Sequence, residues 1–146
     1  MSRLQVLIAC SDSEQRAALM NVLALCDLQP MIAANLSEVR RALERGSVDL
    51  AFCEDRLPGG GFREALRMIK ATGSNVPLVV SSPLGELDQY LEAMQLGAFD
   101  FVAPPYRRAE VESIVNSVRQ DYLSKGTEGT RLNVQAEAVS RNEAAA

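Results

Sequence analysis

The chain has 146 residues, 47% apolar and 23% charged, a composition that suits one compact domain burying roughly two thirds of its unfolded surface. A net charge of −4 argues against a nucleic-acid partner, which needs clustered positive charge, and no apolar run reaches the roughly 20 residues of a membrane span. The absence of histidine removes Ser-His-Asp and Cys-His catalysis and His-based zinc sites, while three irregularly spaced cysteines and no signal-peptide core point to a reducing, cytoplasmic setting.

Leu4 to Cys10 is a short apolar run that predicts a buried strand. Ser11, Asp12, Ser13 and Glu14 offer a helix start, with Ser11 and Glu14 spaced for a capping box. Leu19, Val22, Leu23 and Cys26 then share one helix face, and Pro30 closes the unit. Met31 to Ala34 predicts a weak strand, followed by a helix through Leu36, Val39 and Leu43 that ends at Gly46. Val48 to Cys53 predicts the third strand, and Leu57-Pro58-Gly59-Gly60-Gly61 a flexible loop. Phe62, Leu66 and Ile69 mark a third helix, stopped by Gly73. Pro77 to Ser81 reads as a strand, and Leu87, Tyr90, Leu91 and Met94 as a helical stripe ended by Gly97. Phe99 to Ala103 is the fifth strand, cut by Pro104-Pro105. Val111, Ile114, Val115, Val118 and Tyr122 form the last helical stripe.

Alternating strands and helices predict a doubly wound α/β fold with a five-stranded parallel sheet in the order 2-1-3-4-5, covered on both faces. Residues 1–124 make the domain, and residues 125–146, where apolar density drops, a flexible tail. In such folds the working site lies beyond the C-terminal strand ends, here Cys10-Ser11-Asp12, Glu54-Asp55, Ser81-Ser82 and Ala103-Pro104.

These strand ends resemble the receiver domain of two-component response regulators, the CheY-like family, whose fold is the flavodoxin-like three-layer sandwich. VLIACSDSEQR, VDLAFCEDRLPGG, VPLVVSS and LEAMQLGAFDFVAPPY carry the resemblance, which spans about Arg3 to Leu123. The family's magnesium-holding acidic pair matches Cys10 and Ser11, and its phosphoryl-accepting aspartate matches Glu54. Its hydroxyl residue matches Ser82, its lysine Pro104, its proline Pro105 and its switch aromatic Phe101. Magnesium wants charged oxygen ligands at about 2.1 Å, which a thiol and a hydroxyl do not supply. Glu54 extends one methylene too far, and a misplacement of about 1 Å costs about 10²-fold in rate. Pro104 removes the cation that would meet the phosphoryl charge.

Glu54 has two readings, a built-in mimic of phosphoaspartate or a solvated pocket carboxylate, of which the second is the stronger. Asp55 is expected to point away from the pocket by strand alternation, and Asp12 towards the helix start. Cys10 and Cys53 end neighbouring strands and suggest a redox pair, although cysteine is more often a small buried apolar residue. Pro104-Pro105 suggests a cis bond, as the family has there. Tyr90, Phe101 and Tyr106 fit a core role and an interface role equally.

The sequence therefore implies an atypical, stand-alone receiver domain that is not an enzyme, needs no cofactor and signals by phosphorylation-independent contact with a protein partner or itself. The expected surface runs over Leu87 to Leu91, Phe101 to Tyr106 and Val111 to Val118, with no membrane or DNA-binding segment attached. The competing reading is a phosphoryl acceptor using Asp55 or Asp12 with Mg2+ in a rearranged pocket.

Overall fold

The apolar run that opens the chain folds as β1 (Val6–Ala9), and the alternation continues through α1 (Ser13–Leu25), β2 (Met31–Ala33), α2 (Leu36–Glu44), β3 (Leu50–Glu54), α3 (Phe62–Ala71), β4 (Leu78–Ser81), α4 (Leu87–Gln95), β5 (Asp100–Val102) and α5 (Arg108–Ser124). The computed structural model describes residues 4–124, so the tail expected over 125–146 lies outside the described residues. The strands are parallel and ordered β2-β1-β3-β4-β5, the doubly wound arrangement. Among the described residues, no helix is long and apolar enough to cross a membrane.

β3 is buried along its whole length. Its alternation sends Ala51 and Cys53 into a core shared with Leu7, Val80, Phe62 and Leu66, while Phe52 lies with Ile8 and Leu19 of α1 on the opposite side. A division of the described residues into two units falls inside α5, between Ile114 and Val115.

Helix starts are fixed by local chemistry. Asp12, not Ser11, caps α1, its Oδ1 accepting from the Glu14 and Gln15 N–H groups at 2.9 and 3.3 Å. The expected Ser11–Glu14 box therefore does not form. At α2 the N-cap is Asn35, whose Oδ1 accepts from Glu38 N–H at 2.9 Å, while Glu38 Oε1 accepts from the N–H of Ala34, one residue before the cap, at 2.9 Å.

The Leu57–Gly61 segment also departs from expectation, being a tight turn rather than a loose loop. Leu57 and Gly60 exchange both backbone hydrogen bonds, at 2.6 and 2.9 Å, and Pro58 C=O accepts from Leu36 N–H at 3.1 Å. Gly61 is obligatory, because a Cβ there would stand 2.0 Å from the Asp55 carbonyl oxygen.

Candidate functional site at the strand ends

The register pairs Ala9 with Cys53 and Glu54 with Ser81, so Cys10, Glu54 and Ser81 come abreast where three central strands end. Glu54 is only 6% exposed, and a buried carboxylate needs donors. Ser11 supplies two to Oε1, its backbone N–H at 2.7 Å and its Oγ at 2.6 Å. The Cys10 thiol approaches Oε2 at 3.5 Å. The expectation of a solvated carboxylate is thus corrected: the longer glutamate arm reaches the β1–α1 loop and is held there.

Burial, reinforced by the Glu54 charge, pushes the Cys10 thiol up to about 11. Burial raises the Cys53 thiol as well. Both are kept protonated, and their side chains part, Cys10 towards Glu54 and Cys53 into the α2–α3 core. Cys10 and Cys53 carry no disulfide. Tyr106 folds back over the same strand ends, its hydroxyl 2.6 Å from Ser81 Oγ. It joins Cys10, Glu54 and Ser81 in lining one cavity, and burial raises its phenol above the usual value.

Two of the expected pocket residues belong to a separate cluster. Ser82 is fully buried and donates through Oγ to Gln89 Oε1 at 2.6 Å, and Gln89 Nε2 donates to Asp55 Oδ2 at 3.1 Å. Asp12 is engaged at the helix cap. Pro104-Pro105 is cis. Among the described residues, no group of three or more His, Cys, Asp or Glu side chains could hold a metal.

The aromatic and leucine positions divide as well. Leu87 is 68% and Leu91 49% exposed, and Tyr90 stacks edge-on against Phe101 with ring centroids 5.8 Å apart. Tyr106 serves the strand-end cavity. Within the Val111 to Val118 stretch, Val111, Ile114, Val115 and Val118 are buried, while Glu112, Ser113, Asn116 and Ser117 are exposed. Sequence reasoning missed Gln89 and the pairing role of Ser81. Neither carries a local signal, since both act through partners on other elements.

A doubly wound parallel sheet in the order 2-1-3-4-5, with an acid and two hydroxyls gathered at its central strand ends, has the flavodoxin-like fold. The family model described as response regulator receiver domain matches residues 6–116, and the chain belongs to that family, the receiver domains of two-component signalling. Among curated relatives it is 30% identical over 115 residues to the response regulator PilR of Pseudomonas aeruginosa, covering 79% of this chain and 26% of that protein. It is 29% identical over 122 residues to the transcriptional regulator NtrC of Escherichia coli, covering 84% and 26%. The chain thus spans about a quarter of the length of these relatives. Among solved structures, the receiver domain of a LuxO-type repressor from Vibrio parahaemolyticus superposes with a TM-score of 0.75 at 15% identity, covering 85% of this chain and 98% of that one. The receiver domain of a Pseudomonas aeruginosa sensor histidine kinase, which holds magnesium in its cleft, gives 0.70 at 24% identity, covering 80% and 97%.

Proposed function

We propose that this receiver domain is a cytoplasmic contact module that works without aspartyl phosphorylation and without magnesium, binding a signalling protein or a second copy through α4 and β5. The observation that carries the reading is the engagement of Glu54, at the phosphoacceptor position, by Ser11 N–H and Oγ. Its Oε1 is committed to two donors, and the cavity beside it is shared with the Tyr106 ring.

The donor set supports the same reading. At the two positions where the family holds magnesium stand a thiol raised to about 11 and a hydroxyl that donates to Glu54. Neither offers the anionic oxygen that a hard, octahedral cation requires. Pro104 carries no cation, Asp12 is spent on the α1 cap, and Asp55 is held by Gln89. These residues do not fit the metal. Output then falls to the exposed Leu87, Tyr90 and Leu91 side chains, a run of apolar surface of the kind that marks interaction sites.

The test is an amide-shift titration with magnesium, alone and with beryllofluoride. The reading expects Ser11, Glu54 and Asp55 resonances to stay put at millimolar metal. Saturable shifts at those three residues contradict it.

A further inference from the structure

We infer that Gln89 is the positioning residue of α4: the Asp55–Gln89–Ser82 chain, not the Glu54 site, sets how α4 sits and so presents Leu87, Tyr90 and Leu91. The inference rests on the proposed use of that face.

Apart from the edge-on contact of Tyr90 with Phe101 of β5, little else holds the beginning of α4. Pro83 to Asp88 are all exposed, and the N-cap residue Glu86 makes no side-chain capping bond. The buried side chain of the helix is the small Ala93, two turns from the start of the exposed stripe. Near its C-terminal half a second tie runs outward, the Arg63–Glu92 ion pair to α3, both members of which are substantially exposed. Between residues 83 and 91, Gln89 alone is not exposed. A segment with so few buried contacts opens readily unless specific bonds hold it.

Gln89 supplies those bonds with a fixed polarity. An ionised carboxylate only accepts, so Asp55 takes the amide NH₂ and obliges the amide oxygen to face Ser82. Ser82 in turn has its hydroxyl committed to Gln89 and its N–H to Val102 C=O at 3.1 Å, which joins the chain to β5. Asp55 is itself anchored, its N–H donating to Ser81 C=O at 3.1 Å. The ends of β3, β4 and β5 therefore meet α4 through one amide. Glu54 makes its side-chain bonds to the opposite loop, between β1 and α1.

Hydrogen–deuterium exchange on the full chain separates the two clusters. Gln89→Leu is expected to speed exchange about ten- to a hundredfold in residues 87–95, the size that follows from losing a hydrogen bond to a charged group, with residues 6–9 and 50–54 unchanged. Asp55→Ala is expected to give the same local change, and the double variant to add less than twofold to it, because both remove one chain. Glu54→Gln is expected to act on residues 10–16 and leave α4 alone. Should Gln89→Leu loosen the whole fold, Gln89→Glu, which sets a second carboxylate against Asp55, reads the same segment. Unchanged α4 exchange in the Gln89 variants, additive effects in the double variant, or α4 acceleration by Glu54→Gln overturns the inference. A phosphoryl adduct on the wild-type chain contradicts the proposed function without touching these exchange rates.

Discussion

Ser11 and Glu54 lie 43 residues apart and are joined at a single carboxylate oxygen, the Ser11 N–H at 2.7 Å and its Oγ at 2.6 Å. In a family whose strand-end carboxylates gather around a metal, this chain turns its acid onto its own first loop.

That pairing has a measurable stability. Ser11→Ala removes the hydroxyl donor from a buried carboxylate and is expected to cost about 1.5–3 kcal/mol, the range for a hydrogen bond to a charged group. Glu54→Ala is expected to cost at least as much, since it leaves the Ser11 N–H without its acceptor and opens a void. Urea unfolding midpoints check both.

The β3–α3 turn supplies a contrast between two glycines. Gly61→Ala drives a methyl group against the Asp55 carbonyl, 2.0 Å away, and is expected to destabilise by about 1–3 kcal/mol as the backbone shifts. Gly73→Ala meets nothing within 4 Å at φ +71. Its cost is limited to the left-handed conformation, about 1–2 kcal/mol. Only the first is expected to perturb the amide resonances of Asp55 and Leu57.

The Cys10 thiol gives a pH dependence of definite sign. Its folded value is about 11 against 9.0 when unperturbed, so below pH 9 both folded and unfolded thiols are protonated and the full contribution to stability is present. As pH rises from 9 through 11 the unfolded chain ionises first, and about 2–3 kcal/mol is lost. Cys10→Ala lessens the slope of the stability curve over that window, and the buried Cys53 thiol, also raised, keeps the remainder. At pH 8, iodoacetamide labels native Cys10 on the order of a hundredfold more slowly than the same cysteine in urea, because so little thiolate is present.

The orientation of α4 is tested by two substitutions. Leu87→Ser alters an exposed side chain and is expected to change stability by less than about 0.5 kcal/mol. Ala93→Leu overfills a buried position and is expected to cost about 1–3 kcal/mol. Thermal melting separates the two.

The sheet order was legible in the sequence because buried parallel strands write themselves as unbroken apolar runs, as in VLIA and LAFC. Helices α2 and α3 were legible because Leu36, Val39 and Leu43, and Phe62, Leu66 and Ile69, recur at helical spacing and are buried. The apolar spacing at α4 also marked a helix, but Leu87 and Leu91 are exposed, Met94 is only partly buried and the one buried residue of the helix is an alanine, which leaves a weak hydrophobic signature. At the site, the resemblance pointed to Glu54, Cys10 and Ser11, which the structure brings into contact. Which groups touch was not readable: Ser11 had a plausible local partner in Glu14 and took a distant one in Glu54. Ser82 and Asp55 likewise meet through Gln89, a residue of another element with no motif to mark it.

The most direct measurement is the intact mass of the full chain after incubation with acetyl phosphate and magnesium. The account predicts an unmodified mass under conditions that load a phosphorylatable receiver domain run alongside. A stoichiometric phosphoryl adduct, mapped to Glu54, Asp55 or Asp12, contradicts it.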